Sequence, residues 1–173
     1  IIKVAEIFRK IEPDTLITGY KDLYDEESGL KNKNYILDLL PRLLDEVERY
    51  GMSLGLLLIK ANDIEEIKNS YGSYVAKKLI KAVVNTLKES IVFFDEIIRF
   101  EDDKFLVMVE NVYAGDLEII SKRTKVLLEN TSIKVDSLDK KEEISSRFSI
   151  GATLVSNNDD SDSLIARLKN IVD

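Results

Sequence analysis

A charged turn between two apolar runs, Arg99-Phe100-Glu101-Asp102-Asp103-Lys104-Phe105, holds a dense set of ionisable side chains. An earlier apolar run, Leu54-Gly55-Leu56-Leu57-Leu58-Ile59, ends in Lys60. A phosphate-processing enzyme of this layout would supply carboxylates at both points, because divalent cations are held by hard oxygen ligands. The turn keeps Asp103, but the strand end presents a lysine, which has three donors and no acceptor. That reversal of charge argues against catalysis. No catalytic residue, no metal ligand set and no cofactor is expected.

Composition narrows the remaining chemistry. The 173 residues include neither histidine nor cysteine, so imidazole, disulfide and thiolate chemistry are excluded. Lys and Arg number 25 against 32 Asp and Glu, a net charge of -7 that disfavours long-range attraction to nucleic acid or an anionic membrane. The longest apolar runs are far shorter than a bilayer span, and no signal-peptide pattern opens the chain. A cytoplasmic location is expected, with no direct membrane insertion of this stretch. A membrane anchor elsewhere in the full-length protein is compatible with this expectation. The start at Ile1 reads as a fragment of a longer polypeptide.

The elements that must position the turn follow from periodicity. Ile1, Val4, Ile7, Phe8 and Ile11 fall at helical spacing, and Pro13 ends that segment. Residues 14 to 34 read as an irregular connector. A helix from about 35 to 50 presents Ile36, Leu39, Leu40, Leu43, Leu44 and Val47, closed by Gly51. Strand 54 to 60 is followed by a helical region from 62 to 90, interrupted at Gly72, in which Asn62 and Glu65 have capping-box spacing. Strands 91 to 99 and 104 to 110 form a hairpin. A helix over 114 to 129, a polar segment over 130 to 143, a strand over 144 to 155 and a final helix complete the chain. The fold class expected is α+β, with a β-α-β-β-α-β core, an antiparallel central sheet, helices returning over one face and added terminal helices.

These landmarks resemble the GGDEF domain family of diguanylate cyclases and their degenerate relatives. Asp25-Glu26-Glu27-Ser28-Gly29-Leu30-Lys31-Asn32-Lys33 is similar to the family's entry motif, and Leu56 to Gly72 to its first strand and D-x-D-x-F-K-x-x-N-D-x-x-G run. Arg99 to Phe105 falls on the R-Y-G-G-[DE]-[DE]-F hairpin, and Ser149-Ile150-Gly151 on a late core strand. The resemblance covers about residues 25 to 173. Residues 1 to 24 would be a linker or the end of a preceding signalling module. It implies a fold like the palm of nucleotide cyclases and polymerases, with a ferredoxin-like core.

Carried over residue by residue, the resemblance implies a degenerate site. The first metal aspartate falls on Lys60 and the second acidic position on Asn62. The guanine-reading asparagine and aspartate fall on Lys68 and Lys77. The two hairpin glycines fall on Glu101 and Asp102, the metal-ligand position on Asp103, and the next acidic position on Lys104. The product-inhibition motif corresponds to Val92-Phe93-Phe94-Asp95, so Val92 stands where an arginine would, ahead of Asp95.

Two readings of these positions stay open. Lys60 and Asp103 would form an ion pair that fills a vacated metal site. Alternatively Lys60, Lys68 and Lys77, with Arg99, would make an anion pocket. Arg99 also reads as an ordinary exposed strand-end arginine, and Tyr71 and Tyr74 as packing or surface without a nearby base. The function expected is a catalytically inactive domain for signal transmission or protein contact. Its partners would be flanking sensory or output domains, or a second domain of its kind as homodimer or mixed pair. The alternative is a nucleotide-binding sensor with at most weak GTP or ATP phosphohydrolase activity.

Overall fold

The computed structural model describes residues 23–90, 96–137 and 140–173. Its centre is a five-stranded sheet in the order β1-β3-β4-β2-β7, with β1 Lys31–Asn32, β2 Leu54–Ala61, β3 Glu96–Glu101, β4 Lys104–Glu110 and β7 Phe148–Leu154. All pairings are antiparallel except β1 with β3. Strand β2 lies between β4 and β7, so every residue from Leu54 to Ile59 is buried and both faces must be covered. That explains its unbroken apolar run, which carries no alternation to read.

Side chains of opposite parity along β2 enter different cores. Leu54, Leu56 and Leu58 pack with α1 (Lys33–Tyr50) and α5 (Ser161–Val172). Leu57, Ile59 and Ala61 pack with α2 (Ile64–Tyr71), α3 (Ser73–Glu89) and α4 (Ala114–Glu129). The α+β class holds, but helices cover both faces of the sheet rather than one. The cause is β2's central place, which leaves neither face for water.

Local signals explain the helix ends. Asn32 caps α1 by accepting from the Tyr35 amide at 3.2 Å, and Gly51 closes it at φ 63, in the left-handed region glycine favours. Gly72, at φ 88, interrupts the helical region where the sequence places the break, dividing it into α2 and α3. The Asn62–Glu65 capping box does not form. The Asn62 amide nitrogen of the backbone donates to the Arg147 carbonyl at 2.9 Å, and its side chain pairs with Ser149. The helix therefore begins at Ile64, after Asp63.

Three further expectations change. The connector over 14 to 34 contains β1, two polar residues held by pairing to β3. The polar segment over 130 to 143 holds a hairpin of β5 (Ser132–Ser137) and β6 (Lys140–Ser145), and strand β7 starts only at Phe148. Strand β3 is described from Glu96, so the expected start at 91, the helix over 1 to 11 and positions Val92 and Asp95 lie outside the described residues.

Gly151 sets how closely α5 approaches the sheet. A Cβ there would stand 3.0 Å from the Leu168 backbone carbonyl and 3.1 Å from the Ile171 Cβ. Gly151→Val is expected to cost about 1–3 kcal/mol in urea unfolding, because backbone cannot yield as a side-chain tip does. Gly115→Ala, within α4 and facing open space, is expected to gain up to about 1 kcal/mol.

Candidate functional site

The β3–β4 hairpin closes on a two-residue turn, Asp102-Asp103, with Glu101 paired to Lys104. The register shifts between Arg99 and Glu101, inserting one extra residue into β3. An extra residue breaks the alternation of sides. Phe100 and Glu101 consequently both reach the α1/α5 side, Phe100 into that core and Glu101 onto its lysines.

Glu101 is the centre of this site. Its Oε1 accepts from Lys33 Nζ at 3.3 Å and from Lys169 Nζ, and its Oε2 accepts from Lys104 Nζ at 3.0 Å. Partial burial favours the neutral acid, but the hydrogen bonds from Lys169, Lys104 and Lys33 overcome it and pull the pKa from 4.5 to about 2. Lys104 is itself buried. Burial disfavours its charge, yet Glu101, Asp103 and Asp173 outweigh that and raise its pKa.

The expected Lys60–Asp103 pair is replaced by another. Lys60 Nζ lies 2.8 Å from Asp173 Oδ1, just beyond α5, and Lys104 Nζ lies 3.3 Å from the same oxygen. Asp103 instead has Lys104 at 3.6 Å, and its carbonyl accepts from the Ala61 amide at 2.8 Å. The β2 end and the turn thus adjoin, as the sequence suggests, but through backbone. The Asp173 carboxyl is held below its usual pKa range chiefly by the Lys60 hydrogen bond.

Arg99 is buried rather than exposed. Its Nε donates to the Glu101 carbonyl at 2.9 Å, and its Nη2 donates to the Asp102 carbonyl and, at 3.2 Å, to Glu27. Its guanidinium lies 5.0 Å from the centre of the Phe105 ring. These bonds tie the hairpin tip to the entry segment. Lys77 reaches the same Glu27 at 3.9 Å.

The positions in question therefore divide into two groups. Lys60, Glu101 and Lys104 face α1 and α5, whereas Arg99 and Lys77 meet at Glu27. Lys68, exposed in the last turn of α2, shares no ion pair with either group among the described residues. Asn62 is taken by Ser149, and Asp102 is exposed at the tip. Lys60, Lys68 and Lys77 do not converge on one pocket.

Divalent metal does not suit this donor set. Of the carboxylates at the strand end and turn, Glu101, Asp103 and Asp173 carry ammonium partners, and Asp102 stands exposed at the tip. Among the described residues no three carboxylates form a cage for an ion. Tyr71 does have a neighbouring base, Glu142, but the hydrogen bond to that carboxylate raises the phenol's pKa instead of activating it. Two clefts, of about 530 Å³ between α4 and β7 and about 450 Å³ beside Asp63 and Tyr71, are lined by none of Lys60, Lys68, Lys77 or Glu101.

Sequence reasoning missed Lys33, Lys169 and Asp173. It also missed the Asp63–Arg147 clamp, in which the guanidinium bonds Asp63 Oδ1 and Oδ2 at 3.1 Å and the Arg147 amide adds a bond at 2.7 Å. The Arg147 hydrogen bond holds Asp63 below the usual carboxylate range. No local motif marks partners this distant in sequence.

Comparison with known proteins identifies the family and the fold. Residues 22–171 match the family described as diguanylate cyclase, GGDEF domain. The diguanylate cyclase DosC of Escherichia coli K12 is 21% identical over 160 residues, which is 87% of this chain and 34% of DosC. The chain thus spans about a third of that relative's length. The diguanylate cyclase SiaD of Pseudomonas aeruginosa, solved with its activator SiaC, superposes with a TM-score of 0.77 at 16% identity, over 86% of this chain and 56% of SiaD. The GGDEF domain of DgcB from Caulobacter crescentus, in complex with c-di-GMP, gives 0.76 at 16% identity over 86% of each chain.

Replacing Glu101 by Gln is expected to cost about 1–2 kcal/mol at neutral pH, since the site is partly open to solvent. A carboxylate with a depressed folded-state pKa stabilises above its unfolded value and loses that contribution as pH falls. The stability gap between wild type and Glu101→Gln should be constant down to about pH 5 and shrink from there toward about pH 2. Urea titrations of both proteins across that range measure it.

Proposed function

This chain belongs to the diguanylate cyclase GGDEF domain family, and from that premise we propose a catalytically silent member that transmits a signal or makes protein contacts within a larger signalling protein. The observation that carries the proposal is the ammonium–carboxylate network at the β2 end and hairpin. Two lysines, Lys60 and Lys104, sit where the family resemblance assigns acidic groups, and the nearby carboxylates are committed to them.

Catalysis of the family reaction requires metal-held triphosphate and an in-line attack. Lys60 offers no acceptor to a metal, and Glu101 and Asp102 put negative side chains where the resemblance implies a glycine backbone near phosphate. The substitutions at Lys68 and Lys77 remove acceptors for guanine's N–H groups. One surviving carboxylate, Asp103, does not make a two-metal site.

The lesser reading, a nucleotide-binding sensor with weak phosphohydrolase activity, lacks a preformed pocket. Lys77 and Arg99 share Glu27 and Lys60 is on Asp173. A role through contacts fits better. DosC extends well beyond the matched region, and SiaD forms a complex with its activator SiaC. Flanking sensory or output domains, or a second GGDEF-like domain, are the partners proposed here. The site of action proposed is the cytoplasm; no helix among the described residues is long and apolar enough to cross a membrane.

The purified domain, incubated with GTP and Mg²⁺ or Mn²⁺, is expected to form no cyclic di-GMP above background. Lys60→Asp alone should restore none, because Lys68, Lys77, Glu101 and Asp102 remain. Sustained turnover by the wild-type domain would overturn the proposal.

A further inference from the structure

Three ammonium groups from three separate elements converge on one carboxylate. Lys33 comes from the first residue of α1, Lys104 from the first residue of β4 and Lys169 from the last turn of α5. We infer that Lys33, Lys104 and Lys169 form a phosphoryl-binding site that the chain's own Glu101 carboxylate occupies. The inference deepens the silent-domain reading and rests on it, since Glu101 and Lys104 are among the positions on which that reading turns.

The lysines are positioned by more than Glu101. Lys33 and Lys169 lie 4.9 and 5.5 Å from the centre of the Phe100 ring, which is itself buried in the core. Lys104, with only 9% of its side chain exposed, is tethered a second time to Asp173 at 3.3 Å. Removal of the Glu101 charge would therefore leave a prearranged cationic cluster. Lys60 and Lys104 would keep Asp173, and Lys104 also Asp103, while among the described residues Lys33 and Lys169 have Glu101 as their ion-pair carboxylate.

The number of acceptors selects the ligand. A carboxylate has two oxygens, so Lys33 and Lys169 must share Oε1 while Lys104 takes Oε2. A phosphoryl group has three peripheral oxygens and up to two charges, giving each lysine its own acceptor. A second carboxylate would only repeat the arrangement Glu101 already makes. The bulge between Arg99 and Glu101 is what delivers the tethered carboxylate to this side, at an effective concentration no weak free anion matches.

Isothermal titration with inorganic pyrophosphate tests this, with malonate as the dicarboxylate control. Wild type is expected to give no binding at millimolar pyrophosphate, and Glu101→Gln to gain at least about tenfold in affinity with malonate trailing. Thermal unfolding confirms that the variant is folded. Adding Lys33→Gln and Lys169→Gln to Glu101→Gln should abolish the gain. No gain in folded Glu101→Gln overturns the inference, as does a gain that survives loss of the two lysines or that malonate matches. Cyclic di-GMP formation by wild type would sink the silent-domain reading instead, so the two failures are told apart.

Discussion

Strand β2 has to be dry on both faces, and most of the architecture answers to that constraint. Its backbone is paired on both edges, by β4 and by β7, so its side chains can only be covered from above and below the sheet. Leucines of one parity require α1 and α5, and the apolar residues of the other require α2, α3 and α4. The charge that ends the strand is then delivered to a fixed place. Lys60 continues the parity of Leu56 and Leu58, so it emerges at the α5 side beside Asp173.

Around that point electrostatics is resolved within the chain. Glu101, Asp103 and Asp173 meet Lys33, Lys60, Lys104 and Lys169 in one continuous set of ion pairs. Because these pairs are partly open to solvent, breaking one costs on the order of 1–2 kcal/mol, the loss leaving a charge that water only partly compensates. Arg99 adds a second fastening by bonding the carbonyls of Glu101 and Asp102 from beneath. The hairpin tip is thus held by its own side chains, Glu101 on the α1/α5 side and Arg99 toward the entry segment.

Much of the fold was legible because burial imposes periodicity. The helix over 114 to 129 and the β3–β4 hairpin could be read from apolar spacing, and Gly51 and Gly72 mark helix ends where the backbone turns left-handed. Elements without a burial signal were not legible. Strand β1 is two polar residues fixed by their neighbour, and the β5–β6 hairpin shows only Ile133, Val135 and Ile144 among charges. The site was legible in its residue types but not in its pairings. Lys60 finds Asp173 across 113 residues, and a one-residue bulge decides which side Glu101 faces. Neither leaves a mark in local sequence.

The pairing order also bears on how the chain is made. Gly55 lies opposite Val109 on one edge of β2 and opposite Leu154 on the other. During synthesis, the first edge can be satisfied as soon as the hairpin has left the ribosome, while the second stays bare until nearly the whole domain has emerged. A long, flat, apolar strand with an open edge is a template for wrong partners. The nascent domain therefore passes through an interval in which its most hydrophobic strand is half-zipped, and the arrival of β7 ends it.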